Sequence, residues 1–140
     1  MKKIIYYFIG TGNSMRTAVR IAENIGGAEI ISVRCDAETV SAGDADVIGF
    51  VCPVYEWDIP GTMRDFAKKL IINPHAYIFM VATYIAIHGK AFETMAKILS
   101  DKGARLNTVI TKRLGLPEKQ KKYHNPFIKA ADLMKDRQHL

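Results

Sequence analysis

The stretch Ile4-Ile5-Tyr6-Tyr7-Phe8-Ile9-Gly10-Thr11-Gly12-Asn13-Ser14 decides the reading of this chain. Its first six residues are apolar or aromatic without a break, and all are residue types that favour strands. A continuous apolar run of this kind marks a parallel strand covered on both faces. It stops at two glycines interleaved with Thr11, Asn13 and Ser14, and a helical pattern begins at once. A strand that turns this tightly into a helix is a ready anion site. Glycines let backbone N–H groups crowd inward, hydroxyls add donors, and the helix dipole favours negative charge. Gly10, Thr11, Gly12, Asn13 and Ser14 are therefore candidate phosphate ligands. A plain strand-to-helix turn capped by Asn or Ser is the alternative.

The spacing narrows the kind of phosphate. A dinucleotide fingerprint needs a third glycine three residues after Gly12, where this chain has Met15. A P-loop needs a longer glycine frame ending in Gly-Lys-Ser/Thr, which occurs nowhere in the sequence. A short loop rich in hydroxyls and lacking lysine suits a terminal monophosphate, and FMN is the leading candidate.

Further along, apolar runs alternate with amphipathic ones, the pattern of an α/β parallel sheet. Strands are predicted at Lys3–Phe8, Ala28–Val33, Asp46–Cys52, Tyr77–Thr83 and Leu106–Thr111. The first helix is expected to turn Met15, Ala18, Val19, Ala22 and Ile25 inward and to end at Gly26-Gly27. The connection from the second strand to the third is about a dozen residues, room for one helical turn at most. Ile59–Leu70 carries Met63, Phe66, Ala67 and Leu70 on one face, with Pro60 at its start. Lys90–Asp101 does the same with Phe92, Met95, Ala96 and Leu99, closed by Gly103. A last helix is predicted from Asn125-Pro126, after an irregular stretch at Leu114–His124. The 140 residues suffice for one domain, 1–140, with a single core.

Three segments in order resemble flavodoxin-like proteins, in particular the flavodoxin domain of short flavodoxin–ferredoxin fusion proteins. Tyr7-Phe8-Ile9-Gly10-Thr11-Gly12-Asn13-Ser14 is similar to their phosphate loop. The segment Ala45 to Pro60, with Pro53-Val54-Tyr55, resembles their third strand and first flavin loop. Tyr77 to Tyr84 resembles the fourth strand and the start of the second flavin loop. The likeness runs from about residue 3 to about residue 112. It implies a three-layer sandwich around a five-stranded parallel sheet in the order 2-1-3-4-5, binding FMN. Independently of the resemblance, ligands of such sheets sit at the carboxyl ends of the strands, where the winding reverses. The loops after Phe8, Cys52 and Thr83 converge there.

The candidate cofactor site therefore adds Pro53, Val54, Tyr55, Trp57, Thr83, Tyr84 and Gly89 to the phosphate loop. Tyr55, Trp57 and Tyr84 are the aromatic walls, each stacking contact worth about 0.5–1.5 kcal/mol beyond burial. There are departures from the family pattern. Ile9 stands where a Ser or Thr normally donates to the phosphate, a loss of about 1.5–3 kcal/mol. Ile85-Ala86 occupies the place of a Gly-Gly pair, and Asp58 that of a frequent glycine.

Composition bounds the rest. Two cysteines, Cys35 and Cys52, form no Cys-x-x-Cys pair, which excludes an iron–sulfur cluster held by this chain alone. Cys52 reads as a buried strand-end thiol. The four histidines have no metal-ligand spacing. No apolar run is long enough to span a membrane, so a cytoplasmic location is the default expectation. The net charge of +6 gathers late, at Lys112, Arg113, Lys119, Lys121 and Lys122. That run is either a solvated loop or a docking patch for an acidic redox partner. No recognition motif accompanies it, which argues against nucleic acid. No nucleophile–base or paired-carboxylate arrangement suggests a catalytic centre. An electron carrier is the first reading, an NAD(P)H-dependent flavin or quinone reductase the second, and a module without flavin the third. Oligomeric state is not encoded in these patterns.

Overall fold

The computed structural model describes residues 1–10, 12–33, 40–55, 57–84 and 89–113. Strand β1 spans Lys3–Phe8, followed by helix α1 at Asn13–Asn24 and β2 at Glu29–Val33. A two-residue β3, Ser41–Ala42, precedes β4 at Val47–Pro53. Then come α2 (Gly61–Lys69), a two-residue β5 (Ile71–Ile72), β6 (Tyr77–Tyr84), α3 (Ala91–Asp101) and β7 (Leu106–Arg113).

The main sheet has five strands, all parallel, in the order β2-β1-β4-β6-β7. With the two short strands set aside, this is the order 2-1-3-4-5 expected from the sequence. Alternation divides the side chains between two layers. Ile5, Val47, Val51, Phe79 and Val81 lie in the layer of α1, which contributes Ala18, Ile21 and Ala22, with Ile25 just after its end. Ile4, Tyr6, Ile48, Phe50, Ile78 and Met80 face α2 and α3, which contribute Met63, Phe66, Met95 and Leu99. The two central strands are the most covered: β4 is buried from Val47 to Cys52 and β6 from Tyr77 to Thr83. Gly49 of β4 is a packing requirement. A Cβ there would lie 2.2 Å from Phe79 Cζ, because the Phe79 ring lies across the glycine of the neighbouring strand.

The inward face of α1 differs from the sequence expectation. Met15 and Val19 are exposed, and Ser14, Thr17, Ala18, Ile21 and Ala22 are buried. The sequence offers two adjacent apolar stripes, and the one that meets the sheet carries the smaller residues of the first turn. The pairing of β3 with β5 was also unforeseen, since two-residue strands carry no periodicity. Helix α2 begins after Pro60, which stands just before it, and ends at Lys69, with the buried Leu70 next in the chain. Lys112 and Arg113 end β7 rather than lying in a loop. Most of the connection before β3, the Leu114–His124 stretch and the helix predicted from Asn125 fall outside the described residues. Among the described residues, no helix is long and apolar enough to cross a membrane.

Candidate functional site

The carboxyl ends of β1, β4 and β6 are neighbours in the sheet, so the loops leaving them meet. The first loop leads straight into α1. Gly12 precedes the helix with φ of +90°, a conformation that suits glycine, and its carbonyl accepts the N–H of Arg16 at 3.1 Å. Among the described residues no side chain caps this helix end, and its first turn holds no acidic residue. Such an end presents backbone donors and the positive pole of the helix dipole. Asn13 is half-buried, and Ser14 is buried on the inward face. The side chain of Ile9 is 52% exposed beside this loop.

The second loop folds back over the first. Tyr55 and Asp58 exchange both backbone hydrogen bonds, Tyr55 N–H to Asp58 O at 2.8 Å and Asp58 N–H to Tyr55 O at 2.9 Å. This tight turn places Trp57 at φ of +71°, unusual for a bulky residue and found here at a loop tip. The Tyr55 ring meets Phe8 edge-on, with centroids 5.5 Å apart. Its hydroxyl lies 3.5 Å from where a Cβ on Gly10 would stand. Tyr55 is 44% exposed and Trp57 61%, so both keep open aromatic surface.

The third loop locks onto the second. The N–H of Val54 donates to the carbonyl of Thr83 at 3.0 Å, and Pro53 pairs with Thr83 in the sheet. The N–H of Lys90 donates to the carbonyl of Trp57 at 2.8 Å. Gly89 makes this approach possible, since a Cβ there would fall 2.0 Å from the same oxygen. Asp58 accepts the N–H of Ile59 through Oδ1 at 2.8 Å, and its Oδ2 lies 4.0 Å from Lys90 Nζ. The Asp58 carboxylate is thus partly compensated. Beneath the loops, burial pushes the Cys52 thiol up to about 12, with Asp58 adding to the shift, as expected of an inert core thiol. Thr83 Oγ1 is buried with no partner among the described residues.

The structure therefore gathers Gly10, Gly12, Asn13, Pro53, Val54, Tyr55, Trp57, Thr83 and Gly89 at one edge, with Ser14 just below. Thr11, the side chain of Tyr84, and Ile85-Ala86 lie outside what is described. Two residues escaped the sequence reading. Arg16 lies beside Gly12, and Lys90 joins two loops. A signal for Arg16 was present, because no acidic residue stands three or four positions from it in either direction.

The five parallel strands in this order, with helices on both faces, define a flavodoxin-like α/β fold. Solved structures agree. The chain is similar to Bacillus cereus flavodoxin 1 with a TM-score of 0.73 at 16% identity, covering 95% of this chain and 98% of that one. A Fusobacterium nucleatum flavodoxin bound to flavin mononucleotide matches with a TM-score of 0.70 at 14% identity, covering 98% and 99%. Megasphaera elsdenii flavodoxin matches with a TM-score of 0.65 at 20% identity, covering 92% and 98%. No protein-family model and no curated protein sequence matches the chain.

Proposed function

We propose that this chain is an FMN-binding redox protein of the flavodoxin type, passing electrons between partner proteins in the cytoplasm. In this reading Gly10, Thr11, Gly12, Asn13 and Ser14 hold the phosphate with backbone N–H groups and hydroxyls at the amino end of α1. Pro53, Val54, Tyr55, Trp57, Thr83, Tyr84 and Gly89 form the walls and rim of the ring site. The residues present fit the group. Among the described residues the helix end has neither a side-chain cap nor an acid in its first turn, and the neighbouring loop carries two exposed aromatics, Tyr55 and Trp57. That combination, at an edge where the second and third loops bond to each other and Tyr55 packs on Phe8 beside the first, is the observation that carries the proposal. When bound, FMN supplies the electron chemistry, and the chain binds, orients and partly shields it. The basic run from Lys112 to Lys122 is the proposed docking surface for an acidic partner, weakened by salt.

A flavodoxin-like module without flavin is the second reading. The exposed Ile9 favours it, since a phosphate-donating hydroxyl is missing there. Titrating the purified chain with FMN separates the two. The carrier reading expects quenched flavin fluorescence and a one-to-one complex. An unchanged spectrum at saturating FMN would leave the second reading. If the complex consumed NAD(P)H steadily with a quinone acceptor, a reductase would replace the carrier.

A further inference from the structure

We infer that Arg16 supplies the positive charge that holds the phosphate of the mononucleotide, in place of the hydroxyl that the loop lacks at Ile9. The inference rests on the FMN reading and adds a residue that the glycine-and-hydroxyl pattern does not contain. The guanidinium folds back over the loop rather than away along the helix. Its Nη1 lies 3.4 Å from where a Cβ on Gly12 would stand, and its Nη2 donates to Asn13 Oδ1. Both contacts fall on residues of the candidate phosphate loop.

No acidic residue at helical spacing accounts for a cation at that place. Residues three and four positions away are Gly12, Asn13, Val19 and Arg20, so no helical ion pair is available, and Arg20 repels it. The first turn of α1 holds no acid. A positive charge at the amino pole of a helix opposes the dipole. An anion bound at the same end reverses that balance, because it is attracted by both the guanidinium and the dipole. Arginine can meet a phosphate with two parallel N–H donors, which one hydroxyl cannot do.

The test compares FMN with riboflavin, which has the same ring and ribityl chain but no phosphate. The full chain and its Arg16→Gln and Arg16→Lys variants are titrated with each by fluorescence quenching, at low and at high salt. In the wild type, FMN affinity is expected to fall with salt and riboflavin affinity to stay level. Arg16→Gln should weaken FMN about tenfold, flatten its salt dependence and leave riboflavin unchanged. Arg16→Lys should restore most of the salt dependence, with part of the affinity. An unchanged FMN-to-riboflavin ratio in Arg16→Gln, or an equal loss of both ligands, would overturn the role of Arg16 while the FMN reading stands. Absence of any complex between the wild type and FMN would overturn both.

Discussion

The two edges of the main sheet are finished in opposite ways. At the amino edge the backbone is stitched shut. Lys2 O accepts from Asp46 N–H at 2.8 Å and from Val47 N–H at 3.2 Å, and Asp46 O accepts from Tyr77 N–H at 2.8 Å. The carboxyl end of α1 arrives at this edge fully closed. Gly27 N–H reaches Ala22 O at 2.8 Å, Gly26 N–H reaches Glu23 O at 3.4 Å, and Lys3 Nζ donates to Ile25 O at 2.6 Å. Here a cation sits at the negative pole of the helix, where it stabilises. At the carboxyl edge the same helix has no side-chain cap among the described residues, and its neighbouring cation, Arg16, sits at the wrong pole. Exposed aromatics and a positive φ at Trp57 gather beside it. One end is built for stability, and the other keeps binding capacity that folding does not consume.

Four substitutions break or sharpen this contrast. The largest effect is expected at Gly49, on which both edges depend. Gly49→Ala should cost about 3 kcal/mol, because its Cβ would meet the buried Phe79 ring. A melting curve should fall by about 10 °C in a chain of this size. Gly89→Ala should act on the carboxyl edge alone. Its Cβ cannot coexist with the Trp57 carbonyl, so the Lys90–Trp57 bond breaks. We expect a loss of about 1–2 kcal/mol in stability, with FMN affinity reduced by roughly tenfold in the same preparation. Lys3→Met should do the reverse. It removes the cation at the end of α1 and costs about 0.5–1 kcal/mol by denaturant titration, while FMN binding is untouched.

The smallest effect belongs to the exposed Lys2–Asp44 pair, 2.8 Å apart. The hydrogen bond from Lys2 holds the Asp44 carboxyl below its ordinary 3.8. Its contribution is present above that pH and is lost as the pH falls through the lowered folded value. The same bond raises Lys2 above 10.5, so the base-side loss begins only beyond that. Asp44→Asn should lower the melting temperature only slightly near neutrality, and the difference should vanish in acid.

How much of this was legible in the sequence follows from the physics of each element. β1 was placed at Lys3–Phe8 and is observed there, because a strand buried on both faces writes itself as an unbroken apolar run. The strand order followed from rules of crossover and pairing rather than from side-chain detail. The inward face of α1 was not legible. Met15 and Val19 form a stripe as apolar as the one that is buried, and only the loop entering at Gly12 sets which one turns inward. The glycine-and-hydroxyl loop could be read, since it depends on neighbours in sequence. The contacts of Tyr55 over Gly10, and of Trp57 with Gly89 and Lys90, could not. They join residues dozens of positions apart and appear only once the sheet aligns the strand ends.

Amide chemical-shift mapping of the labelled chain with FMN tests the central claim most directly. The account predicts saturable shifts at Gly10, Gly12, Asn13, Val54, Trp57 and Gly89, with Lys2, Ile25, Gly27, Asp44 and Asp46 unmoved. Saturable shifts centred on the stitched edge, or no shifts at saturating ligand, would contradict it.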